Sequence, residues 1–232
     1  MKLFMYDYTG IMAQPWLDAG YECCLVDGQH PSGLNRHPEH PLLLTLGCWV
    51  DAYNHRTQFM RMMQAMLPDV DFIMGFPECT DLAVSGAAHF AKKRAIDAFF
   101  QDKAVANATL IATLGNAYGC PWAFENPVSV ISTLYRKPDF WFNPSDYGGW
   151  LQEHEAKHPL YPDYIADYDA YPKKTGIWCG NGFKEPVKRP VEVAPGYSTQ
   201  HLKLGGKSRK TKNIRSATPR GFARAVYEAN QC

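Results

Sequence analysis

The chain has 232 residues, 46% hydrophobic and 20% charged, with a formal net charge of +1. That supplies enough apolar material for a packed core and one domain, or at most two. It excludes a global field that would draw a polyanion, so any nucleic-acid affinity has to come from a local cluster.

No apolar run is long enough to span a bilayer. The N-terminal stretch meets Asp7 too early for a signal peptide. The chain therefore reads as cytoplasmic, with no membrane partner. Its 7 cysteines include no Cys-x-x-Cys pair. They suggest neither a zinc site nor a disulfide framework, and most read as small buried hydrophobes. The histidines show no ligand spacing, so no metal is expected.

In chain order, residues 3–6 predict a short strand running into Asp7-Tyr8-Thr9-Gly10. A short helix follows, with Ala13, Trp16 and Leu17 on one face and Gly20 at its end. Residues 21–26 predict a second strand that stops at Asp27-Gly28. Residues 30–41 read as a Pro- and His-rich loop, and 42–50 as a third strand ending at Asp51. A helix is expected over 58–67, a buried-type strand over 70–74, and two helices over 87–115. The stretch 122–124 is a short strand delivering Glu125. Residues 136–172 read as loop, 175–179 as a strand, and 203–215 as a basic Gly-containing loop. Thr218-Pro219 opens a last helix. Strands alternating with helices predict one α/β domain over 1–232, with a mostly parallel central sheet flanked by helices. The segments 136–172 and 196–217 are then loop insertions.

Four places carry chemistry. Tyr8-Thr9-Gly10 is a strand-to-helix turn where a glycine lets a ligand approach the backbone. Asp27, closing the next strand, suits the two hydroxyls of a ribose, and Asp51 suits an adenine amino group. A structural turn and a plain loop acid are the simpler readings of the same residues. Cys79, between Pro77 and Thr80, follows a strand, and open α/β sheets bind ligands at strand carboxyl ends. A thiol placed there can act as a nucleophile; an inert buried cysteine is the alternative. Glu125-Asn126-Pro127 places a carboxyl against a buried strand, where desolvation suits it to donate a proton; a surface turn is the alternative. Finally, Lys203, Lys207, Arg209, Lys210, Lys212 and Arg215 form a cation cluster suited to phosphates, or a solvated face. The aromatics of 135–171 suit base stacking, or ordinary loop packing.

Together these residues resemble the cytosine-5 DNA methyltransferases, especially the short phage- and prophage-type members without a large target-recognition domain. Pro77-Glu78-Cys79 is similar to the family's Pro-Pro-Cys nucleophile motif, with Glu78 replacing a proline. Glu125-Asn126-Pro127 is similar to its Glu-Asn-Val motif, and Tyr8-Thr9-Gly10 to its Phe-x-Gly cofactor loop. Asp27 and Asp51 match the acids after its second and third strands. Where the family carries a Gln-x-Arg-x-Arg motif, this chain has Lys173-Lys174-Thr175, so a lysine takes the arginine's place.

The resemblance implies a Rossmann-like fold that uses S-adenosyl-L-methionine, in a bacterial or phage-infected cell. Cys79, Glu125, Asn126 and Lys174 would be catalytic. Tyr8, Thr9, Gly10, Asp27, Asp51 and Pro77 would hold the cofactor. Lys173, Lys207, Arg209, Lys210, Lys212 and Arg215 would contact DNA, either a duplex with a flipped cytosine or a single strand. The short chain implies short or relaxed sequence specificity. RNA or a free cytosine nucleotide as substrate, and an inactive nucleic-acid-binding relative, are the competing readings.

Overall fold

The computed structural model describes residues 1–193, 204 and 208–231. The chain divides into two compact units. The first comprises Met1–Tyr8, Trp16–Trp141 and Thr175–Phe183; the second comprises Thr9–Pro15, Phe142–Lys174 and Lys184–Cys232.

The first unit is built on a mixed, mostly parallel sheet. Its strands are β1 (Lys2–Met5), β2 (Cys23–Val26), β3 (Gly33–Arg36), β4 (Leu43–Gly47), β5 (Phe72–Gly75), β6 (Trp122–Pro127), β7 (Phe140–Phe142) and β8 (Thr175–Gly180). Their spatial order is β3-β4-β2-β1-β5-β6-β8-β7. Neighbours from β4 across to β6 are parallel, whereas β3 runs antiparallel to β4 and β8 antiparallel to β6. Leaving β3 aside, the parallel strands follow the 3-2-1-4-5 order of a doubly wound sheet. The crossover direction reverses between β1 and β5, which is where such sheets open a ligand crevice.

Strands β1, β2 and β5 are buried along their whole length. That matches their apolar runs, which need cover on both faces; the one charged member, Lys2, is buried with its ammonium on Asp71. The cover includes α2 (Ala52–Met66) and α4 (Phe100–Tyr118). Phe59 and Met63 of α2, with Leu110, Ile111 and Leu114 of α4, join Leu3, Met5, Val26, Ile73 and Phe124 in one core. Arg56 ties the two helices together, donating to the Ala106 carbonyl and the Thr109 hydroxyl, each at 3.0 Å. Two shorter helices, α1 (Gln14–Asp18) and α3 (Phe90–Ile96), precede α4, and α5 (Ile131–Leu134) follows β6.

Several expected elements shift. The 30–41 loop contains β3, an edge strand that is largely exposed and so carries no apolar alternation to reveal it. Helix α2 begins at Ala52 rather than 58. His55 interrupts it with non-helical φ −126° and ψ 22°, so the regular stretch begins beyond that point. Strand β6 runs on through Pro127, so Glu125 lies inside a strand, paired with Ile177 of β8, rather than after one.

The second unit holds short helical turns, α6 (Arg209–Ser216) and α7 (Arg220–Asn230). The basic segment expected to be loop is thus helical from Arg209. Ser208 caps it, its hydroxyl accepting from the Thr211 amide at 3.2 Å. Thr211 and Ile214 face inward, and Ile214 packs with Ile165, Tyr171, Leu204 and Ala217. Helix α7 starts after Thr218-Pro219, but a buried residue distant in sequence satisfies its first amide. Asp169 accepts from the Arg220 amide at 2.6 Å and from its guanidinium at 2.9 Å.

Candidate functional site

Within the first unit, Tyr8, Asp27, Cys79 and Glu125 all lie at or just beyond the carboxyl ends of parallel strands, and Asp51 follows β4. The sheet gathers residues spread over more than half the sequence along one edge.

Cys79 and Glu125 come from adjacent strands. Strands β5 and β6 pair with Gly75 opposite Phe124, so the Cys79 loop leaves the sheet beside the stretch of β6 that carries Glu125. Three sets of hydrogen bonds hold the two segments together. Asn126, fully buried, donates from Nδ2 to the Pro77 carbonyl at 3.1 Å. The Val130 amide donates to the Leu82 carbonyl, and the Val84 amide to the Val128 carbonyl, both at 3.0 Å. Between them Ala83 and Ser129 form an antiparallel bridge. Inside this latch Cys79 opens a tight turn, its carbonyl accepting from the Leu82 and Ala83 amides at 3.0 and 2.8 Å. The thiol is half-buried.

Charges surround the turn. The Glu78 carboxylate accepts from the Thr80 hydroxyl at 2.7 Å. Lys93 of α3 donates to the Thr80 carbonyl at 3.0 Å and is ion-paired with Asp81. Other cysteines differ in kind. Burial pushes the Cys23 and Cys24 thiols up to about 12 and Cys120 to about 11, which keeps them protonated and inert.

At the β1 edge, Tyr6 adopts the left-handed φ of 58°, uncommon for a residue other than glycine. Its hydroxyl donates to the Asn107 carbonyl at 2.9 Å. Gly10 also has positive φ, 70°, and its carbonyl accepts from Ala13 and Gln14 as the chain turns into α1. Asp27 is half-buried and accepts the Gln29 amide at 2.8 Å. Two aromatic features carry no sequence signal. The Tyr8 ring lies 5.5 Å from His30, whose Nε2 is 3.0 Å from the Asp7 carbonyl. Trp49, 79% exposed, covers Gly28 so closely that a Cβ there would meet its ring at 2.3 Å.

Asp51 has structural work. Its two oxygens accept from the amide and side chain of Asn54 at 3.1 and 2.8 Å, capping α2, and these bonds hold its carboxyl below the ordinary value.

Thr9, Gly10, Lys173, Lys174 and the α6 cations belong to the second unit. Lys173 donates from Nζ to the Arg215 carbonyl at 2.9 Å, where a cation favours a helix C-terminus. Arg215 donates to the Leu204 carbonyl at 2.8 Å. Both therefore brace α6. Lys210 sits over the Tyr164 ring at 5.5 Å. Arg209, Lys210 and Lys212 are exposed, as is Lys174. Lys207 lies outside the described residues. Among the described residues no group of His, Cys, Asp and Glu is placed to hold a metal ion, and no helix is long and apolar enough to cross a membrane.

The latch was the part missed from sequence. Its one signal is the alternation Val128-Ser129-Val130, too short to separate from a turn. Lys93 is one cation on a polar helix and gave none.

No family model and no curated protein matches the sequence. Among solved structures the chain is similar to a protein from E. coli, encoded within a prophage and proposed there to be a DNA modification methyltransferase. The identity is 12% and the TM-score 0.43, with 82% of this chain and 52% of that one covered. The chain thus spans about half that protein's length. Similarity at this level leaves the functional reading to the residues themselves.

Proposed function

We propose that this protein transfers a methyl group from S-adenosyl-L-methionine to carbon 5 of cytosine in DNA, with short or relaxed sequence specificity. The observation that carries the reading is the latch, which holds a half-buried cysteine and a carboxyl-bearing strand side by side at a sheet's carboxyl edge.

The Cys79 thiolate adds to carbon 6 of the ring, forming an S–C bond and moving the 5,6 electron pair onto carbon 5. Glu125 hydrogen-bonds the ring nitrogen and exocyclic amine, stabilising the charge that addition creates. By the resemblance, Lys174 would serve in place of the family's arginine. Its ammonium offers a point charge rather than a planar fork. Asn126 acts through the Pro77 carbonyl and fixes the nucleophile's loop. After methylation a base removes the carbon 5 proton, the 5,6 double bond re-forms and Cys79 leaves with its electron pair. Splitting one substitution into addition and elimination lowers each barrier.

The edge suits the cofactor in chemistry. Asp27 offers an acceptor at the end of β2, and Pro77 lies in the loop that follows β5. When bound there, S-adenosyl-L-methionine supplies the methyl group. By the resemblance, Tyr8, Thr9 and Gly10 would also contact the cofactor. Asp51, already engaged by Asn54, is the least available of the set. Arg209, Lys210, Lys212 and Lys207 would take phosphates, making affinity salt-dependent.

Covalent trapping tests the reading. DNA containing 5-fluorocytosine cannot lose a proton from carbon 5, so the Cys79 adduct should persist as a denaturation-resistant complex when the cofactor is added. Cys79→Ser should trap nothing. Equal trapping by the variant would remove Cys79 as the nucleophile.

A further inference from the structure

The latch beside Cys79 contains two buried polar atoms with no hydrogen-bond partner among the described residues, Asn126 Oδ1 and Ser129 Oγ. Asn126 is 0% and Ser129 4% exposed. The orientation of the Asn126 amide is not arbitrary. A carbonyl can only accept, so the nitrogen must face Pro77, which leaves the oxygen as the group still needing a donor. Buried acceptors are rarely left unsatisfied, because the lost solvation is not recovered elsewhere. The two residues lie three positions apart, in the segment that bonds to the Cys79 turn on both sides of Ser129 through Val128 and Val130.

We propose that Asn126 Oδ1 and Ser129 Oγ hold one buried water molecule, and that this water completes the latch that positions the Cys79 turn. The ligand class follows from the atoms. Oδ1 accepts only, and a serine hydroxyl donates or accepts, so an uncharged molecule that does both and fits an interior serves them together. A charged ligand would have no counter-charge among these two groups. Ser129 is then a positioning residue. It touches no substrate and acts by keeping Cys79 and the Glu125 strand in fixed relation. The role of the water in catalysis rests on the methyl-transfer reading; its existence does not.

The test combines a crystal structure of the full chain showing ordered solvent with iodoacetamide labelling, read at Cys79 by peptide mass spectrometry. One water within hydrogen-bond reach of both atoms is expected. Ser129→Ala should label Cys79 about three- to tenfold faster, the opening expected when one buried hydrogen bond is lost. Ser129→Thr, which keeps the hydroxyl, should restore the slow rate. Cys48 labelling should stay constant, which a general loss of folding would not allow. Density with no water between the two atoms, or Ser129→Ala labelling like the natural protein, overturns the proposal. Labelling needs neither DNA nor cofactor. A failed fluorocytosine trap with the expected labelling pattern would therefore sink the methyl-transfer reading and leave the water site standing.

Discussion

Replacing Asn126 by aspartate changes one atom in the latch and should produce a pH-dependent loss of stability. Asn126 is fully buried and its Nδ2 donates to the Pro77 carbonyl at 3.1 Å. In Asn126→Asp an oxygen takes the place of that nitrogen. The protonated acid can still donate to Pro77, so below the ordinary aspartate value of about 4 the variant should match the natural protein closely. The ionised form faces a carbonyl in a fully buried position, and burial of this kind lifts a carboxyl by about 3 to 5 pH units. A raised folded-state value means the folded chain binds more protons than the unfolded chain between the two, so stability falls as pH rises through that window. At about 1.4 kcal/mol per unit, the loss should reach about 4 kcal/mol at pH 7. Asn126→Ala, with nothing to titrate, should cost about 1–3 kcal/mol for the stranded carbonyl at every pH. Urea unfolding of the three proteins at acid and neutral pH measures all of this. A variant whose deficit does not grow with pH would refute the placement of Asn126 against Pro77.

Three further outcomes follow from other parts of the structure. Asp169→Asn leaves the Arg220 guanidinium uncompensated among the Glu155, Ala156 and Lys157 carbonyls; urea unfolding should show a loss of about 3–5 kcal/mol, and a loss below about 1 kcal/mol would show the pair to be dispensable. If DNA is the partner, Arg209→Ala and Lys210→Ala should each reduce the salt slope of binding by about one. Lys173→Ala, which loses its bond to the Arg215 carbonyl, should lower thermal stability and leave that slope nearly unchanged. The nearest atoms to a Cβ on Gly28 are those of the exposed Trp49 ring, whereas one on Gly47 meets the Pro31 carbonyl at 2.0 Å. Gly28→Ala should therefore shift tryptophan emission at little cost, and Gly47→Ala should destabilise by about 1–3 kcal/mol; equal costs in urea would contradict the two environments.

The parallel part of the sheet was legible because its strands are buried on both faces. Cys23–Val26 and Phe72–Gly75 are unbroken apolar runs that end at Asp27 and in the Cys79 loop. The segments misjudged from sequence owe their structure to something outside themselves. Gly33–Arg36 becomes a strand because β4 offers an edge to pair with. Arg209–Ser216 becomes a helix because Ile214 docks on Ile165 and Tyr171, while Lys173 and Arg215 satisfy backbone carbonyls. Neither gain is encoded in local propensity, which tertiary contacts override.

The same distinction separates the residues of the candidate site. Cys79 and Glu125 come from neighbouring parallel strands, although Glu125 lies within β6 rather than after it. Asp51 was read for its charge, but Asn54 is three residues on, and an acid before a helix finds the amides of the first turn before it finds a ligand. Lys173 and Arg215 were read for their charge as well, but Lys173 serves the Arg215 carbonyl of α6 and Arg215 the Leu204 carbonyl before it. A charged side chain is therefore available for function only after the nearest orphaned backbone groups have been satisfied. By that criterion Arg209 and Lys210 remain the strongest candidates for phosphate contact. The Cys79 loop meets the criterion in its backbone. Its carbonyls are satisfied by Asn126, Lys93, Val130 and its own turn, so the loop's shape is fixed by partners within the protein rather than left to a ligand.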